Sequence, residues 1–374
     1  MKVLQLITRL DQGGAPRIFL KLISGLKEKG IDVVMASGPS QQPEEEPRKF
    51  SQLLHIPYYP LPHLRRNILP LHDSFALWEI ITLIRKEKPD LLHTHTTKAG
   101  ILGRVSGWMT RTRTIHTPHG HLFYGYFGKG KERFYVVLEK MAARFCKRII
   151  TISEDERRAY LHKGIGNAKK VVTVYNGIDT KQFPGDGKKV RTQLGIAQGV
   201  PLVGFVGRME GIKGPDRFVE TAKVLKAACP QAHFVMAGDG PMKEELMKMA
   251  EGISGFHVLG YREDIPDLMA ALDLLVIPSR NDGFNLAAVE AMASSKPIVA
   301  TAVGGLPEVV GGGGILVQPE DTKGLAQETI RLINAPDLRK QIGKRGKERA
   351  ATLFDWNVCL QKTLDIYHQV MGRR

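Results

Sequence analysis

Short apolar runs punctuate this chain, each closing on turn-forming residues and followed by residues suited to a helix. In the first half Val3–Ile7, Ile31–Ala36, Leu91–His95, Thr114–Thr117, Ile149–Ile152 and Val171–Val174 read as strands. In the second half Leu202–Val206, His233–Ala237, Phe256–Leu259, Leu274–Ile277 and Ile298–Ala300 repeat the pattern. Helices are expected from the glycine loop after Ile7 to about Lys29, over Leu77–Lys86, Asp216–Ala228, Asp264–Ala271 and Asp321–Ile333, and from Asp355 onward. That last segment carries Trp356, Leu360, Leu364 and Tyr367 in one stripe. Residues 38–48 and 61–71 read as loops. Strands alternating with helices predict parallel sheets flanked by helices, here twice over.

Length supports the same division, since 374 residues exceed one typical core. Residues 179–200, with Pro184, Gly185, Asp186 and Gly187, read as the linker. Residues 1–180 then form one Rossmann-like domain and residues 190–355 the other. Three scattered cysteines, Cys146, Cys229 and Cys359, fit buried thiols in a reducing compartment. The N-terminal apolar run is too short for a signal peptide and no run matches a membrane span, so a cytoplasmic protein is expected.

The formal charge of +16 is unevenly placed. Residues 1–190 hold 32 Lys and Arg against 17 Asp and Glu, and the remainder 22 against 21. A solvated basic face is one reading; an anionic partner, whether nucleic acid, phosphorylated acceptor or membrane surface, is the other. In residues 121–134 the aromatics Phe123, Tyr124, Tyr126 and Phe127 precede Lys129, Lys131 and Arg133, which suits either a membrane interface or a packed helix contact.

The densest chemistry lies in residues 278–307. A loop from Pro278 to Gly283 follows a buried strand, a helix starts near Asn285, and Pro297 ends it. The loop Asp282–Leu286 sits where strand ends meet a helix start, a place that favours phosphate. Asp282 precedes the helix and Glu290 lies just over a turn inside it, so both carboxylates can face one pocket and accept hydroxyl pairs. Arg208 and Lys213, in the loop after Leu202–Val206, reach the same sheet edge. Two fixed cations plus helix-start amides can bind a diphosphate without metal and offset charge on a leaving group. The chain has no Asp-x-Asp. In the first half only Gly13-Gly14 remains of a dinucleotide fingerprint, which lets backbone approach a ligand or makes a plain tight turn. His93 and His95 share a strand face, as polar strand-end residues or a metal pair. His119, after a strand and beside Pro118 and Gly120, is placed for ligand contact or is a turn histidine bonded to backbone.

An ordered set of motifs spans almost the whole chain: Gly13-Gly14-Ala15, PHGH around His119, NGID at 176–179, Val206-Gly207-Arg208 through Lys213, AGDGP at 237–241, DGFNLAAVEAMA at 282–293 and VGGLPE at 303–308. The set resembles the retaining glycosyltransferases of family 4, with the GT-B fold of two Rossmann-like domains whose parallel sheets face across a cleft. The resemblance implies an acceptor-binding first domain, residues 1–180 with a terminal helix over 356–374 packing back on it, and a nucleotide-sugar donor domain over 190–355. It implies that Arg208 and Lys213 hold the donor diphosphate, with the amides of Phe284, Asn285 and Leu286 and the backbone of Gly13 and Gly14. Glu290 would hold the ribose, His119 and Asp282 the donor sugar. Asp282 stands where the family's E-x7-E pair begins with Glu, one methylene longer. Front-face attack is implied, with the leaving phosphate taking the acceptor's proton, and neither metal nor cofactor.

The reading is a cytoplasmic enzyme, peripheral on the inner face of the cell membrane. It moves a hexose-type sugar from a nucleoside diphosphate, UDP first, to a lipid-linked or membrane-proximal acceptor in cell-surface polysaccharide assembly. The first domain would rest on the anionic membrane. A nucleotide-sugar epimerase of the same architecture is the enzymatic alternative. A nucleic-acid-binding protein is the other, though no nucleic-acid module accompanies the charge.

Overall fold

The computed structural model describes residues 1–11, 13–40, 45–120, 128–183 and 185–372. The chain divides into two compact units: unit 1 is Met1–Tyr175 with Cys359–Arg374, and unit 2 is Asn176–Val358.

Unit 1 is built on β1 (Lys2–Ile7), β2 (Asp32–Ser37), β3 (Tyr58–Pro60), β4 (Leu91–His95), β5 (Arg113–Thr117), β6 (Arg148–Thr151) and β7 (Val171–Thr173). They stand in the order β3-β2-β1-β4-β5-β6-β7, and every neighbouring pair is parallel. Unit 2 carries β8 (Leu202–Val206), β9 (His233–Ala237), β10 (Phe256–Gly260), β11 (Leu274–Ile277), β12 (Ile298–Thr301) and β13 (Gly314–Val317). Their order, β10-β9-β8-β11-β12-β13, is again parallel throughout. Both sheets therefore reverse direction once, between β1 and β4 and between β8 and β11. Ligands of such sheets bind at the carboxyl ends of the strands beside that reversal.

Apolar side chains from strands and helices close over the sheets. In unit 1 Leu4, Leu6, Val34 and Leu92 pack under Ile80, Leu83 and Ile84; in unit 2 Val203, Phe205, Phe234, Leu274 and Val276 pack under Phe218, Leu225 and Leu332. Residues from Cys359 onward belong to unit 1, and Tyr367 of the helix Trp356–Met371 is wholly buried there.

Several elements differ from expectation. The helix expected at Leu77 starts seven residues earlier, as Pro70–Glu87, with Pro at its first position, where a missing N–H costs nothing. Leu71 and Phe75 in its first turns are exposed, and so break the polar-outside pattern that would have marked them. The loop reading of residues 38–48 overlaps the helix Glu45–Leu53. The segment 179–200 contains the helix Gly187–Gln193 and lies within unit 2. Two helices, Thr97–Met109 and Lys129–Ala143, fill stretches with no helical signal. In the first, glycines lower helix propensity but let it press on the sheet: a Cβ on Gly103 or Gly107 would meet Thr94 or Thr114 at 2.5 and 2.1 Å. The aromatics Phe123, Tyr124, Tyr126 and Phe127 lie outside the described residues.

Candidate functional site

In unit 2 the loops after β8 and β11 flank the reversal of the sheet. Backbone holds them together: the N–H groups of Arg280 and Asn281 donate to the Ile212 carbonyl at 2.8 and 3.3 Å. The Arg280 side chain donates to the Gly211 carbonyl at 2.6 Å and pairs with Asp216. Gly214, at φ +66°, lies so close to Pro278 that a Cβ would stand 2.1 Å from its carbonyl oxygen.

Lys213, at the end of the first loop, donates to Asp282 Oδ2 at 2.7 Å, and Asp282 is only 4% exposed. The same oxygen accepts from Asn285 Nδ2 at 2.7 Å and Ser279 Oγ at 3.3 Å. All three bonds fall on one oxygen. Oδ1 accepts from no described residue and has capacity for a ligand hydroxyl. Lys213 likewise spends one of three N–H donors on Asp282.

Asn285 does double duty. Its carbonyl oxygen caps the helix Leu286–Ala293 by accepting from the Ala288 N–H at 2.9 Å. The other first-turn N–H groups, Leu286 and Ala287, have no acceptor within the helix and carry its positive end. Glu290 is buried on that helix, 2% exposed. Arg208 is nearly half exposed, and its partner Glu210 lies 2.7 Å away. Unit 2 thus brings Lys213, Asp282, Asn285 and Ser279 into one bonded cluster, while Arg208 is exposed and paired with Glu210.

In unit 1 the loop after β1 leads to Gly13, which precedes the helix Gly14–Glu28 with no side-chain cap. Gly13 and Gly14 therefore present a helix start at the carboxyl end of β1. The register pairs Gln5 with His93 and His95 with Thr117, so these four residues share one face of the sheet. The two histidines do point the same way, with ring centroids 4.0 Å apart. They are knitted into a continuous chain of hydrogen bonds. The Gln5 amide N–H donates to Tyr367 Oη at 2.9 Å, and Tyr367 Oη lies 2.6 Å from His93 Nδ1. His93 Nε2 lies 2.8 Å from Thr117 Oγ1. On the other side, Gln5 Oε1 accepts from His95 Nε2 at 2.8 Å, and His95 Nδ1 meets His119 Nε2 at 2.8 Å.

The amide orientation of Gln5 sets the tautomers along this chain. A carbonyl oxygen only accepts, so His95 carries its proton on Nε2 and its Nδ1 accepts from His119 Nε2–H. His119 Nδ1 is left as a lone pair, buried and without a partner. Burial holds the rings neutral: it pushes His119 down to about 4 and His93 to about 3, and it holds His95 well below the usual imidazole value. His119 also has a left-handed backbone, φ +59°, uncommon outside glycine and frequent at functional turns. Glu156 secures that turn, accepting from the Gly120 N–H at 3.0 Å and the Ile152 N–H at 2.8 Å.

Among the described residues no group of three His, Cys, Asp or Glu is placed to hold a metal ion. His93 and His95 instead serve the hydrogen-bond chain. Sequence reading missed Gln5, Tyr367, Glu156 and Arg280. A Gln inside the apolar run Val3–Ile7 and a Tyr in the stripe of the last helix were available signals.

Comparison with known proteins gives the same answer for both units. The family profile "Glycosyltransferase Family 4" matches residues 12–182, and "Glycosyl transferases group 1" matches residues 200–335. The chain is 30% identical over 258 residues, 66% of each chain, to the UDP-Gal:alpha-D-GlcNAc-diphosphoundecaprenol alpha-1,3-galactosyltransferase of Escherichia coli. It is 28% identical to the D-inositol 3-phosphate glycosyltransferase of Geodermatophilus obscurus, over 96% of this chain and 85% of that one. Among solved structures, Anabaena HepE in complex with UDP and glucose superposes with a TM-score of 0.84 at 25% identity, covering 99% of this chain and 100% of that chain. With two Rossmann-like units, each matched along its length, this chain belongs to glycosyltransferase family 4 and is a glycosyltransferase of the GT-B type.

Proposed function

We propose that the protein is a retaining, metal-independent hexosyltransferase. It takes a sugar from UDP and passes it to a lipid-linked or membrane-proximal acceptor at the inner face of the cell membrane, in cell-surface polysaccharide assembly. The observation that carries this reading is the cluster at the helix mouth of unit 2. Lys213 and the N–H groups of Leu286 and Ala287 supply positive charge for a diphosphate, and Arg208 adds a second cation. Asp282 Oδ1 and Glu290 supply acceptors for the hydroxyls of a sugar and a ribose. Within unit 1, the buried lone pair of His119 Nδ1 offers an acceptor of its own.

In the reaction the bond from the sugar C1 to the diphosphate breaks while the acceptor oxygen bonds C1 on the same face. The acceptor's proton passes to the departing phosphate oxygen. Cations that neutralise that phosphate lower the barrier, and the cations here are side chains of the fold. The named acceptor of the Escherichia coli relative, a sugar on diphosphoundecaprenol, supports a lipid-linked acceptor here.

Release of UDP or GDP from common sugar donors, with and without undecaprenyl-diphosphate sugars, tests the reading. UDP release that rises with the lipid acceptor and persists in EDTA is expected. An anomeric configuration inverted in the product, or silence with every donor, overturns it. A free epimerised nucleotide sugar would instead mark the epimerase.

A further inference from the structure

The hydrogen bonds that reach His119 form a circuit that almost closes on itself, and its far side runs through the last helix. From Thr117, the final residue of β5, the bonds pass to His93, Tyr367, Gln5 and His95 in turn. They come back to His119, two residues beyond the start. Gln5, His93, His95, Thr117 and Tyr367 are each 5% exposed or less, so bulk water does not replace a missing partner. Aromatic contacts hold the ring planes. Phe19 of the helix Gly14–Glu28 meets the His95 ring edge-on at 5.0 Å, Tyr367 meets His93 edge-on at 5.6 Å, and His95 stacks on His119 at 5.0 Å.

Buried polar side chains on a parallel sheet are costly unless each is bonded, and apolar groups of the same shape can replace a bonded pair at little cost. Sheet stability alone therefore does not call for this set. What the set supplies is direction. Imidazole and hydroxyl groups donate on one side and accept on the other, and they reverse by moving a proton. The Gln5 amide has two chemically distinct ends, so it reverses only by turning over against both neighbours. Tyr367 Oη takes its N–H end and His95 Nε2 meets its oxygen. With the oxygen there, His119 carries its proton on Nε2 and its Nδ1 is a bare lone pair.

We propose that Gln5 and Tyr367 are positioning residues for His119: they hold its imidazole in the tautomer whose Nδ1 accepts, so that the substrate group it meets is a hydroxyl that donates. Gln5 acts through His95, and Tyr367 acts through Gln5. A side chain of the last helix thereby governs the hydrogen-bonding sense of a residue on the loop after β5. The proposal rests on the functional reading in one respect, that His119 meets a sugar hydroxyl.

Nitrogen-15 spectra of the imidazoles in the histidine-labelled full chain test it, with His119→Asn assigning the His119 signals. In the wild type Nε2 of His119 is protonated and Nδ1 is bare. Gln5→Met keeps the bulk and loses both bonds, so the two tautomers interconvert and the Nδ1 and Nε2 shifts converge. Tyr367→Phe moves them the same way and carries the test where Gln5→Met does not fold. In Gln5→Met, kcat for UDP release from a sugar donor falls about 10–100-fold. The thermal shift with UDP stays that of the wild type, which shows that unit 2 is intact. Added to His119→Asn, Gln5→Met lowers kcat no further, because the residue it positions is gone; a packing role would lower it again. A wild-type His119 protonated on Nδ1, tautomers that ignore both variants, or rate losses that add in full overturn the proposal. If no donor releases UDP, the functional reading falls and the spectra alone decide the role of Gln5 and Tyr367.

Discussion

Asp282 concentrates three hydrogen bonds on one carboxylate oxygen, and that asymmetry makes it informative. Lys213, Asn285 and Ser279 fix the group in place and hold Oδ1 ready. Under the proposed function Lys213 neutralises the leaving phosphate, so for Lys213→Ala kcat/KM for UDP release is expected to fall by about 10²–10³. Arg208→Ala should also lower turnover while sparing the fold, because that side chain is exposed. Wild-type rates in both variants would place the diphosphate elsewhere. Asn285→Ala should cost about 1 kcal/mol of stability through the lost cap, read by denaturant titration, and more in activity because Asp282 loses a partner.

Residues also set a pH dependence. His93, His95, His116 and His119 are all pushed down by burial, so the folded state holds them neutral where an unfolded chain would begin to take up protons. Unfolded imidazoles titrate near 6.5. Above that pH the two states bind alike and the stability is fully present. As pH falls below it, the unfolded chain binds more protons, and each histidine costs up to about 1.4 kcal/mol per pH unit. For His93 and His119 this loss continues to their folded values of about 3 and 4. Melting temperature should therefore drop steadily from pH 6.5 to 4.5, and a flat profile there would show the rings to be solvated.

At the scale of elements, function depends on loops pressed against one another. Gly304, at φ +52°, lies where a Cβ would stand 2.3 Å from the Asp282 carbonyl oxygen, and the Gly305 N–H donates to that same oxygen at 2.8 Å. Gly304→Ala should displace the Asp282 loop. Activity is expected to fall well over tenfold, with a stability loss of about 1 kcal/mol or more. Activity unchanged would mean that the loop tolerates the shift. These elements also show which features a sequence reveals. The approach of Lys213 to Asp282 was legible because strand ends and a helix start bring their two loops to one sheet edge. Arg280 was not legible, because its job is to staple two loops whose approach no local pattern records. The helices Thr97–Met109 and Lys129–Ala143 were hidden for opposite reasons. Glycines needed for close packing disguised the first, and exposed Phe134, Val137 and Met141 blurred the polar face of the second.

At the scale of the whole molecule, two parallel sheets could be read from the alternation of elements, since the period of apolar runs is a local property, whereas their like strand order could not. The partnership of Gln5 with Tyr367 could not, because 362 residues separate them. Tyr367→Phe would leave Gln5 Nε2 and His93 Nδ1 without their shared partner, costing about 1–3 kcal/mol. The expected outcome is a lower melting temperature with UDP affinity retained. Removing residues 356–374 should go further and leave unit 1 unable to close its core, seen as lost amide-exchange protection over β1 and β4.

The bonds from Tyr367 of the last helix to Gln5 and His93 have a consequence for biogenesis. A ribosome translates all of unit 2 before it delivers Cys359–Arg374. Until that segment emerges, the nascent first lobe lacks its closing piece and the orientation of Gln5 that orders His95 and His119. Ordering of the histidine network thereby waits until all of unit 2 has been translated, and a polypeptide cut short before Cys359 lacks it.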